Sequence, residues 1–124
     1  MKLQPDRIDS ANVIGAHGPD GVTINGQVRR ASVVVPAKGE VAEWPCRRLE
    51  DVRAEHFEQV ARLAPEVVLF GSGARLRFAP AEALRPLIER GIGVETMDTG
   101  AACRTYNILV SEGRTVVAAL LIED

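Results

Sequence analysis

Two apolar runs that each break at glycine constrain this chain most: "EVVLF" (66–70), followed by "GSG" (71–73), and "IGVETM" (92–97), followed by Asp98-Thr99-Gly100. The first run is apolar almost throughout, as expected of a strand covered on both faces. Between the runs, Pro80 opens a helical stretch over Ala81–Arg90 in which Ala83, Leu84, Leu87 and Ile88 face inward, and Gly91 ends it. Two strands joined through a helix lie parallel with a right-handed crossover. Both glycine-bearing exits then open at the same end of the sheet, the end where ligands tend to bind in open α/β sheets.

The rest of the chain extends this unit. Val52, Phe57, Val60, Ala61 and Ala64 form an apolar stripe on a helix over about Ala54–Leu63, stopped by Pro65. "TGAACRTYNILV" (99–110) reads as a third helix and "RTVVAALLI" (114–122) as a final buried strand, while "RLRF" (75–78) reads as a short extra strand. The N-terminal portion has strand chemistry: "NVIGAHG" (12–18), "GVTIN" (21–25), "QVRRASVVVP" (27–36) and a short piece in "EVAEWP" (40–45). Asn25-Gly26 supports a hairpin, because both residues tolerate the positive φ of a tight primed turn. Strands first and then alternating helix and strand imply an α/β domain with a β-rich N-terminal portion and a mixed sheet.

At 124 residues the chain suits one domain, 1–124, with 1–11 read as a flexible N-terminal segment. Seventeen acidic against fifteen basic side chains give a net charge of −2, so nothing draws the whole molecule to nucleic acid. The longest apolar run, "VVAALLI" (116–122), is too short to span a bilayer, and the start lacks a signal-peptide core, so a cytoplasmic protein is expected. Cys46 and Cys103 have no CxxC spacing, and His17 and His56 show no liganding pattern, so neither a disulfide framework, a metal nor a cofactor is suggested. The two histidines receive no role.

Asp98-Thr99-Gly100 matches the way an aspartic peptidase presents its carboxylate, which needs two such acids sharing a proton. The motif stands late here and runs into a helix, so local architecture is the better reading: Thr99 as the helix cap, with Asp98 at the positive end of the dipole. Cys103 lies in the first turns of that helix, where a thiol can be activated, but no histidine stands near it in sequence, and burial is preferred. Thr99, Cys103 and Asn107 follow at spacings of four, so they form one polar line that meets either a ligand or neighbouring backbone. Gly71, Ser72 and Gly73 resemble an anion cradle without P-loop or dinucleotide spacing, and Arg75, Arg77, Arg104 and Arg114 are candidate cations for it.

"VVLFGSG", "GIGVETMDTGAACRTYNILVSEGRTVVAALL" and the upstream tryptophan with "EHFEQV" together resemble a family of small bacterial and archaeal domains of unknown function. Its eukaryotic relatives include the mitochondrial NADH dehydrogenase alpha-subcomplex assembly factor three and an adipogenesis-associated protein. The family pattern falls on Gly71, Gly73, Gly91, Glu95, Met97, Thr99, Ala102, Thr105, Asn107, Glu112, Gly113 and Arg114. Ser72 stands where threonine is more usual, and Arg53 where a capping Thr or Ser is common. The resemblance implies a hammerhead-like N-terminal portion, a non-enzymatic assembly role and a protein partner, with a homodimer left open. The rival expectation is an enzyme or sensor for a small anion, with its pocket between Gly71–Gly73 and Asp98–Gly100.

Overall fold

Tight turns and glycine breaks divide the N-terminal half into short antiparallel strands. The computed structural model describes residues 11–123, so the flexible segment expected at 1–11 falls, for residues 1–10, outside the described residues. Strands β1 (Ile14–Gly18), β2 (Gly21–Ile24) and β3 (Gln27–Arg29) form a three-stranded antiparallel sheet. Asn25 and Gly26 carry φ values of 52° and 84°, as the two-residue turn between β2 and β3 requires. The single segment expected over 27–36 is instead two strands: the chain leaves the small sheet at Arg30 and starts β4 (Val33–Pro36) in the second one. Ser32 fixes that start, its Oγ accepting the Ile122 N–H at 2.9 Å. The short piece expected in 40–45 is β5 (Ala42–Glu43).

The second sheet has the order β5-β4-β8-β6-β7, with β6 spanning Val67–Gly71, β7 Gly93–Met97 and β8 Val116–Leu120. β6 lies parallel to both β7 and β8, and β4 lies antiparallel to β8, so the sheet is mixed. Helix α1 (Ala54–Ala61) precedes β6, α2 (Ala81–Glu89) joins β6 to β7, and α3 (Thr99–Ser111) joins β7 to β8. β6 and β8 are buried along their whole length, which explains their near-continuous apolar sequence.

Alternation along these strands feeds two cores. Val68, Phe70, Val117 and Ala119 pack with Trp44, Phe57 and Leu87 under α1 and α2. Val67, Leu69, Ala118 and Leu120 pack with Ile14, Ile24, Ala102 and Tyr106 between the sheet, α3 and the N-terminal strands. Trp44, Phe57 and Phe70 meet edge-to-face at 5.4–5.9 Å between ring centroids. The Trp44 indole N–H donates to the His56 carbonyl at 3.0 Å, so the one indole donor is satisfied within the core.

Two local expectations change. "RLRF" forms no strand; the Ser72 hydroxyl, held within the sheet end, accepts the Arg77 N–H and donates to the Arg75 carbonyl, which holds the segment out of the ladder. On α2, Ala83 and Leu87 are buried and Leu84 partly so, but Ile88 points outward. At the start of α1, as expected of arginine in the place of a capping Thr or Ser, the Arg53 side chain makes no cap bond; His56 Nδ1 accepts the Arg53 N–H at 2.8 Å.

Candidate functional site

Glycine lets the two strand exits approach each other closely. A Cβ on Gly71 would stand 3.0 Å from Thr99 Oγ1 and 3.1 Å from Thr99 Cα, so the end of β6 and the start of α3 touch through backbone. The bonds between the loops are reciprocal: the Thr99 N–H donates to the Gly73 carbonyl at 2.8 Å, and the Gly73 N–H donates to Thr99 Oγ1 at 2.9 Å. Thr99 Oγ1 also donates to the Leu121 carbonyl at 2.9 Å, bringing the end of β8 into the same joint. The Ser72 N–H donates to Met97 O at 2.8 Å, and the Ser72 hydroxyl lies fully buried between Met97, Arg75 and Arg77.

Asp98, not Thr99, is the helix cap. Its backbone is extended (φ −65°, ψ 161°) and its Oδ1 accepts the Ala101 N–H at 2.8 Å, while Thr99 is already the first helical residue. Thr99 is drawn instead into the joint with Gly73 and Leu121.

Beside the two loops lies a hollow of about 530 Å³, which Gly73 lines and Gly71 and Ser72 do not. Gly73, Ala74, Asp98, Thr99 and Gly100 form one side, and the end of β1 with its turn (17–20), Val22 of β2 and the segment 121–123 form the rest. The N–H groups of Ser72, Gly73, Thr99 and Ala101 are already engaged within the protein, so little of the anion-cradle chemistry of a glycine loop remains free. Asp20 and Asp98 give the lining two carboxylates, while the third, Glu123, is paired with Arg77.

The remaining candidates separate. Cys103 is buried at 1% exposure, and burial pushes its thiol up to about 11, with Arg104 opposing and Asp98 adding to the rise. Burial likewise raises Cys46 to about 12, so neither thiol is a nucleophile near neutral pH. Asn107 donates to the Ile14 carbonyl at 2.8 Å and Tyr106 OH to the Asn12 carbonyl at 2.8 Å, so this side of α3 fastens the N-terminal strands. Arg104 is exposed and makes no ion pair among the described residues. Arg114 stands at the opposite end of the sheet, where its Nε meets Glu66 Oε2 at 2.8 Å. There the Thr115 N–H, and then Arg114, hold the Glu66 carboxyl below its ordinary range.

A family model described as "Protein of unknown function (DUF498/DUF598)" matches residues 14–121, nearly everything between the first strand and the last. The chain belongs to that family. DUF498/DUF598 relatives include the NADH dehydrogenase [ubiquinone] 1 alpha subcomplex assembly factor 3 of Danio rerio, 37% identical over 98% of this chain and 70% of the relative. The Homo sapiens protein of the same name is 33% identical over 90% of this chain, which spans only 61% of it. Among solved structures, a Mth938-like domain from Bordetella pertussis superposes with a TM-score of 0.83 at 37% identity, covering 100% of this chain and 94% of that one. The family fold is therefore the Mth938-like α/β fold seen here.

Two residues of this DUF498/DUF598 site, His17 and Glu123, escaped the sequence reading, and a third, Arg77, has another task than the anion contact expected of it. His17, near the end of β1, lies over the start of α3, two of its ring atoms 3.1–3.3 Å from where a Gly100 Cβ would be. Arg77 crosses beneath the loop to pair with Glu123, donating to the Ser72 carbonyl as well. Nothing local marked His17 or Glu123. Among the described residues no group of His, Cys, Asp and Glu is arranged to hold a metal ion, and no helix is long and apolar enough to cross a membrane.

Proposed function

We propose that this chain is a non-enzymatic assembly factor, working in the cytoplasm through contacts with a protein partner during biogenesis of a respiratory or other membrane complex. The likeness to named assembly factors over 98% of the chain carries this reading. The local chemistry supports it: the thiols are buried, Asp98 caps a helix, and the glycine loops use their donors on each other. The test is deletion of the gene in its native host, reading NADH oxidation by isolated membranes and the assembled complex on native gels. A fall in both, restored by the wild-type chain and equally by Cys103→Ala, is the expected result. Unchanged complex in the deletion strain refutes the reading.

The hollow beside the loops motivates a second reading, a small-molecule enzyme or sensor. Its lining carboxylates and engaged N–H groups favour a cationic ligand over the anion expected from the glycines alone. Thermal-shift measurements with polyamines, phosphates and organic acids decide it, because a ligand that binds only the folded form raises the melting temperature. No shift with any of them removes this alternative.

A further inference from the structure

Strand β7 ends the five-stranded sheet and pairs only with β6. The Gly93 N–H reaches Glu66 O, and Met97 O receives the Ser72 N–H, so the odd-numbered residues of β7 direct their backbone groups to β6. The N–H and C=O groups of Val94 and Thr96 therefore point away from the sheet, and they have no partner among the described residues. No proline or bulge interrupts this edge, which has the form of a template for one more strand.

The two faces beside that edge differ chemically. On α2, Glu82 lies with Arg53 and Glu55 of the α1 start, and Arg90 just beyond α2 pairs with Glu58 of α1, so that flank turns to α1. Leu84 and Ile88, one turn apart, occupy the other flank, towards β7. Leu84 packs with the cluster that includes Val94, whereas Ile88 is 62% exposed. On the opposite face, Glu95 sits across from Leu69, is exposed, and has no ion pair among the described residues.

We infer that the outer edge of β7 accepts an extended segment of a protein partner, one that alternates apolar residues facing Ile88 with a basic residue facing Glu95. Backbone bonds to Val94 and Thr96 supply the pairing, and the alternation supplies the choice of partner. A second copy of this chain fits poorly: pairing Val94 with Thr96 of the copy sets Glu95 directly against its own equivalent, and like charges opposite one another repel. The inference rests on the protein-partner reading above.

The probe is a free heptapeptide alternating valine and lysine, added in excess to the full chain, with the valine–glutamate heptapeptide as control. Amide hydrogen exchange followed by NMR should slow roughly tenfold or more at Val94 and Thr96 with the lysine peptide and stay unchanged with the glutamate peptide. Glu95→Lys should reverse the preference, and Val94→Pro, which removes an N–H outside the ladder, should abolish the protection at Thr96. Equal protection by both peptides, none by either, or a dimer protecting the same amides without peptide overturns the proposal. Failed peptide binding beside a clear deletion phenotype strikes this edge alone; an absent phenotype strikes the assembly reading.

Discussion

The Thr99 hydroxyl accepts the Gly73 N–H at 2.9 Å while the Thr99 N–H donates to the Gly73 carbonyl at 2.8 Å, so one threonine locks two strand exits together. Replacing it by valine keeps the shape, removes two hydroxyl bonds, and leaves the Gly73 N–H and one bond of the Leu121 carbonyl unmade. Thr99→Val should cost about 2–3 kcal/mol in urea unfolding, and Thr99→Ser clearly less, since an unpaired buried donor carries its whole desolvation penalty.

Asp98 separates local architecture from bond chemistry. As a cap it needs only an oxygen acceptor for the Ala101 N–H, so Asp98→Asn should stay within a few tenths of a kcal/mol of wild type and Asp98→Ala should lose about 1 kcal/mol. Chemical denaturation of both variants measures this. Peptide cleavage at acid pH that vanished in Asp98→Asn would contradict the cap as its whole role.

How much of this was legible depended on distance along the chain. Asn25-Gly26 announced its turn because each residue meets the φ requirement by itself, and the parallel pairing of β6 and β7 followed from the helix between them. The choice of Asp98 over Thr99 as cap was not legible, because both residue types cap helices; the joint to Gly73, remote in sequence, decides it. Ile88 carried an inward period yet faces out, because α2 lies near the sheet edge and its β7 flank has nothing above it among the described residues. Arg114 looked like a companion of the glycine loops only until the parallel register set the starts and ends of the strands at opposite rims.

The two buried thiols predict an alkaline limit. Their folded values, about 11 for Cys103 and about 12 for Cys46, lie above the ordinary 9.0, so the native state holds more protons than the unfolded state in that interval. Stability should be at its full value below about pH 9 and decline as the pH rises beyond it, more weakly in Cys103→Ala once its own stability loss is subtracted. Near neutral pH a thiol reagent should label both cysteines rapidly only after denaturant is added.

Ala64 offers a stabilising change. It follows α1 with φ 52°, its N–H bonded to the Ala61 carbonyl, and its side chain is exposed. A left-handed alanine costs roughly 1–2 kcal/mol that glycine avoids, while glycine's freer unfolded chain returns about 0.4–1 kcal/mol of that gain. No buried contact is lost, so Ala64→Gly should raise stability by about 0.5–1 kcal/mol, read as a higher urea midpoint with an unchanged slope. A lower midpoint would mean that the turn before Pro65 relaxes once the methyl group is gone, and that the left-handed geometry there is imposed by the alanine's surroundings.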